Sequence, residues 1–64
     1  MTDIIQDLLH LELDTFHDDE LEYGVTIAVT LDGFNYSLDS WEYDTTEEIV
    51  KAIDNKEWEV TRHD

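Results

Sequence analysis

Sixty-four residues allow a single domain, 1–64, with one small core, and the absence of cysteine excludes disulfide staples and thiolate metal sites. Eighteen Asp and Glu against Lys51, Lys56 and Arg62 give a formal net charge of −15, which disfavours nucleic acid as a direct ligand and favours a basic protein surface. Apolar residues make up 41% of the chain and seven are aromatic, too many and too regularly placed for a disordered polyanion.

The same charge density makes the folded chain repel itself, and added salt is expected to relieve that repulsion. Asp3 and Asp7 interrupt the first apolar residues and no basic stretch precedes them, which argues against a signal peptide. No apolar run approaches the roughly 20 residues of a membrane helix, and a cysteine-free chain suits a reducing cytoplasm.

In chain order, Thr2 is the expected cap of a first helix over 2–11, with Asp3 in its first turn. Ile4, Ile5, Leu8, Leu9 and Leu11 fall at helical spacing and form its apolar stripe. Glu12 to Glu22 reads as an acidic connection with Phe16 as an anchor into the core. From 21 to 31, Leu21, Tyr23, Val25, Ile27, Val29 and Leu31 alternate with polar or small residues, the period of a strand. Asp32-Gly33 signals a two-residue hairpin turn, and the return strand is placed at 34–43. That turn pairs Leu31 with Phe34, Val29 with Tyr36 and Ile27 with Leu38, all on one face. The alternation changes phase at Asp39 to Trp41, the mark of a bulge or a strand end. Thr45 and Glu48 form a capping box for a second helix over 46–55, with Ile49, Val50 and Ile53 as its stripe and Asn55 as its stop. Trp58 and Val60 alternate with Glu57, Glu59 and Thr61 in a short last strand, 57–61. The pattern is that of an α+β domain: a small antiparallel sheet with two helices packed on one face. The expected core is Ile5, Leu8, Leu9, Val25, Ile27, Val29, Tyr36, Leu38, Ile49, Ile53 and Trp58. The edge strands and the small core leave room for a homodimer.

Site chemistry is sparse. No nucleophile elbow or zinc-protease motif is present, and carboxylates on a domain this small have little room for a pocket that would shift their acidity. No residue is assigned to catalysis, and the chain reads as a non-enzyme. His10, His17 and His63 match no compact metal spacing, and Asp14 to Asp19 lacks the glycine and terminal glutamate of a calcium loop. Neither a metal nor a cofactor is expected. Asp39-Ser40 has the look of a carrier-protein attachment serine, but that serine opens a helix in an all-helical bundle, whereas Ser40 follows a hairpin strand.

What remains is the acidic surface. Duplex DNA carries one negative charge per about 1.7 Å of axis, and a compact protein with a large carboxylate excess imitates that field. Carboxylates satisfy the same Arg and Lys donors that an enzyme holds ready for phosphates and guanine edges. An acidic interaction module, such as an antitoxin or adaptor, and a halophile's solvated domain are the competing readings of this composition.

Val25 to Trp58 holds an apolar strand, Asp32-Gly33 with Asn35-Tyr36, an acidic segment containing Ser40, and an amphipathic helix ending before Trp58. In that pattern it resembles a family of small phage-encoded acidic DNA mimics, nearest the anti-CRISPR proteins that block the PAM-reading cleft of Cas9. The resemblance implies an inhibitor acting in the cytoplasm of an infected bacterium, with a CRISPR-Cas effector as partner and Asp32 entering an arginine-lined pocket. Other acidic DNA mimics act on restriction enzymes or uracil-DNA glycosylase. The residues expected at the partner surface are Asp32, Asn35, Asp14, Asp18, Asp19, Glu20, Asp39, Glu42 and Asp44.

Overall fold

In the computed structural model, which describes residues 3–62, helix α1 runs Ile4–Asp14 and is capped by Asp3, whose Oδ1 accepts from the Ile5 backbone N–H at 2.9 Å. Thr2, the expected cap, lies outside the described residues, as does His63. The helix continues past the expected end at residue 11 because Leu13 extends the stripe. Ile5, Leu9 and Leu13, spaced by four, are its buried residues, whereas Leu8 is only half-buried and Leu11 is exposed.

The acidic connection corrects most clearly. Asp18–Tyr23 forms a second helix, α2, so the described residues hold three α-helices rather than two. Its first turn holds Asp18, Asp19 and Glu20, where negative charge meets the positive end of the helix dipole. The Glu20 carboxylate accepts from His17 N–H at 3.1 Å, closing the turn. Leu21 points into the core while Tyr23 is 91% exposed, so neither is a strand residue. Gly24, at φ +100°, turns the chain out of the helix. Phe16 packs against the core, as its apolar character within the acidic run suggested.

Strand β1 therefore begins at Thr26 rather than residue 21 and runs to Leu31; β2 is Phe34–Asp39. The turn between them has Asp32 at φ 54° and Gly33 at φ 82°, the two positive values a type I′ hairpin requires. Ile27 faces Leu38, Val29 faces Tyr36 and Leu31 faces Phe34, the register that the turn and the alternation dictate. The return strand stops at Asp39, four residues short of the expected end, and Ser40–Glu42 forms a 3₁₀ turn. Helix α3, Thr46–Asp54, is capped by Thr45, whose Oγ1 accepts from Glu48 N–H at 3.3 Å. The Glu48 carboxylate reaches back to Asp44 N–H at 2.8 Å, one residue beyond the cap. At the other end Lys56 takes a left-handed φ of 59°; its N–H bonds Ile53 O and the Glu57 N–H bonds Ala52 O, which closes the helix. Strand β3, Glu59–Arg62, pairs antiparallel with β2, giving the order β1-β2-β3.

The buried apolar core comprises Ile5, Leu9, Leu13, Leu21, Ile27, Leu38, Ile49, Ala52 and Ile53. Val25, Val29, Tyr36 and Trp58, expected inside, are partly buried and pack against it. None of the Asp and Glu side chains among the described residues is buried.

Helices α1 and α3 are also latched at the surface. Asp54 Oδ1 accepts from Gln6 Nε2 and from His10 Nε2, each at 2.9 Å. The His10 hydrogen bond is the main cause that holds the Asp54 carboxyl below its ordinary value, with Gln6 adding to it and partial desolvation opposing it. A carboxylate lowered on folding stabilises the fold above its unfolded pKa, and that stability is lost as pH falls through the folded value. Wild type should thus be more stable than Asp54→Asn at neutral pH. Thermal melts of both should converge as pH drops through the ordinary aspartate value near 3.8 and below it. A gap that stays constant into acid would show that the latch does not couple to the charge of Asp54.

Candidate functional site

The chain leaves β2 by turning Ser40 inward, and that one side chain organises the neighbourhood. Ser40 is 2% exposed. Its Oγ accepts from Val25 N–H at 2.8 Å and donates to Leu21 O at 3.1 Å, while its own N–H donates to Val25 O at 2.9 Å. The end of α2, the start of β1 and the 3₁₀ turn are thereby fastened together. The phase change at Asp39 to Trp41 is the strand end, and the turn carries Trp41 sideways across Gly24. The positive φ favours glycine at Gly24, and a Cβ there would lie 3.2 Å from Trp41 Cε3, a tight contact that would shift the indole by a few tenths of an ångström.

Between α2, the 3₁₀ turn and the start of α3 lies an open groove of about 580 Å³. Leu21, Ser40 and Ile49, all buried, form its inner wall; Trp41 and Tyr43 are its aromatic members, and Asp18, Glu22 and Asp44 contribute carboxylates. No basic side chain lines it. Trp41 is 61% exposed, a large apolar ring held in place with one side open. Burial pushes the Tyr43 hydroxyl pKa up, and the negative charges of Glu57, Glu42 and Asp39 push it further, so the phenol stays neutral and available as a hydrogen-bonding group.

The residues expected at a partner surface fall into two groups, with Asp14 apart from both. Asp18 and Asp44 line the groove; Asp19 and Glu20 share the first turn of α2 with Asp18, and Glu42 ends the 3₁₀ turn beside it. Asp39, at the adjoining strand end, accepts from Thr26 Oγ1 at 3.1 Å. Glu20 is engaged in capping. Asp32 stands exposed at the hairpin turn, at the opposite end of the sheet, and Asn35 accepts from Thr30 Oγ1 at 3.2 Å on the sheet's outer face. The five steps from Phe34 to Asp39 at about 3.3 Å each separate the two ends by about 17 Å. Asp14 is exposed at the last turn of α1. Sequence reasoning missed Glu22, Trp41 and Tyr43 as site residues. The signal for the two aromatics is the run Trp41-Glu42-Tyr43-Asp44, in which aromatics interleave with acids at the change of phase that ends the strand.

Among the described residues no group of three or more His, Asp and Glu is arranged to hold a metal ion, and no helix is long and apolar enough to cross a membrane. No family model, curated protein or solved structure matches the chain.

Removing the Ser40 hydroxyl orphans the Val25 N–H and the Leu21 carbonyl, and an unsatisfied buried polar group costs about 1–3 kcal/mol. Ser40→Ala should lose stability of that order in urea unfolding and should shift the Trp41 indole signal, because the turn that carries the ring loses its fastening. A variant as stable as wild type with an unmoved indole would contradict this role.

Proposed function

We propose that the protein is an acidic DNA mimic that binds the DNA-contacting groove of a basic DNA-processing enzyme, a CRISPR-Cas effector by the resemblance around Asp32, and competes there with DNA. The observation that carries this reading is the linear charge density. The described residues hold seventeen carboxylates and three basic side chains, hence −14 with histidine neutral, along a longest dimension of 31 Å. That is about one net negative charge per 2.2 Å, against one per about 1.7 Å of duplex axis. Mere solubility needs neither this density nor so complete a loss of positive charge.

Acids stand at both ends of the sheet, Asp32 at one and the groove acids at the other, so a basic channel would meet charge along the whole length of the molecule. The rigid type I′ turn presents Asp32 with little entropy left to lose on binding. Acids at the margin act on the rate of encounter and its salt dependence, whereas those buried against arginine act on dissociation.

The test is competition between the protein and target DNA for a guide-loaded Cas9-type effector. Asp32→Asn should cost about 2 kcal/mol of binding, and neutralising Asp14, Asp19 and Glu42 together should chiefly slow association at low salt. A ternary complex of enzyme, DNA and this protein, or inhibition undiminished by these changes, would defeat the mimicry reading and point to an adaptor.

A further inference from the structure

The groove beside Trp41 is more selective than a diffuse field of acids, and the geometry points to a specific occupant: a single arginine side chain of the basic partner, stacked on the indole with its guanidinium between the carboxylates. The inference rests on the reading of this chain as a binder of a basic protein, and it deepens that reading by naming the side chain recognised.

Three observations converge on it. The first is shape. At about 580 Å³ the groove has room for one long side chain and the backbone that carries it, and it lies within the roughly 300–1,000 Å³ of ordinary binding clefts. The second is the aromatic wall. Trp41 leaves 61% of its surface open although its ring is seated against Gly24, and indole is the best aromatic platform for a cation held within about 6 Å of its centre. Its open ring lies at a concave site, where a stacking group of a partner would cover it. The third is charge. Asp18, Glu22 and Asp44 enter the groove from two separate segments with no cation among the lining residues to neutralise them.

The chemistry favours arginine over lysine. A guanidinium is planar, stacks on aromatic faces and offers five N–H donors in one plane, which suits an indole face flanked by carboxylates at different positions. An ammonium is a strongly hydrated point charge that gains less from stacking. The apolar inner wall of Leu21 and Ile49 covers the aliphatic stem that arginine buries behind its charged head.

The experiment titrates hexa-arginine, hexalysine and hexacitrulline peptides into isotopically labelled full-length protein at low salt and follows the Trp41 indole N–H and the backbone amides. Hexa-arginine should move the Trp41 indole and amides of the α2 and 3₁₀ segments. Hexalysine should bind about tenfold more weakly, and the uncharged hexacitrulline should leave the indole unmoved. Asp44→Asn and Trp41→Ala should each weaken hexa-arginine about tenfold, whereas Asp32→Asn should change it less than about twofold. Trp41→Phe, which keeps a ring over Gly24, should retain most of the binding and guards against a loss caused only by misfolding of the alanine variant. An unmoved indole, equal binding of lysine and arginine peptides, or an Asp32→Asn effect as large as that of Asp44→Asn would each overturn the assignment. Peptide binding at the groove without competition against DNA would sink the mimicry reading alone; competition with an unmoved indole would sink the arginine site alone.

Discussion

Everything in this domain answers to the mutual repulsion of its carboxylates. A net charge of −15 on 64 residues opposes compaction, and a small core, nine buried apolar residues among those described, must overcome it. The fold responds by keeping every described Asp and Glu at the surface and by giving several of them local work. Asp3 caps α1, Glu20 closes the first turn of α2, Glu48 bonds the backbone ahead of α3, and Asp54 joins α1 to α3. Each of these places a negative charge against backbone donors, a helix N-terminus or a side-chain donor, where it stabilises rather than repels.

Local signals made much of the fold legible. The hairpin was legible because two independent constraints agreed: Asp32-Gly33 admits only a tight turn, and the alternation on either side admits only one register across it. Helix α3 was legible from Thr45, Glu48 and the apolar stripe that follows. Helix α2 was hidden by coincidence. Leu21 and Tyr23 continue the odd-numbered alternation of Val25, Ile27 and Val29, so a strand pattern reaches back over the last three residues of this six-residue helix. The contrary signals were the three acids of its first turn and the glycine after its last residue, which together mark a helix start and stop.

The candidate site was less legible for a different reason. Its residues come from 18 to 22 and from 40 to 49, and nothing local joins these stretches. They meet because the Ser40 hydroxyl bonds to Val25 and Leu21, a tertiary arrangement without a sequence pattern. Asp18 and Asp44 could be singled out as acids, but the aromatic wall that gives their charge a shape could not. The groove and the hairpin tip are therefore two features of one acidic surface: the tip follows from local turn chemistry, and the groove from packing.

A modest core holds this fold together against its own charge under ordinary ionic conditions. Thermal unfolding measured from low salt to about 0.3 M sodium chloride tests it directly, because screening shortens the reach of the repulsion over that range. The protein should be folded throughout, with a melting temperature that climbs steadily as salt is added. A melting temperature indifferent to salt, or a chain that folds only at molar salt as a halophile's domain would, contradicts it.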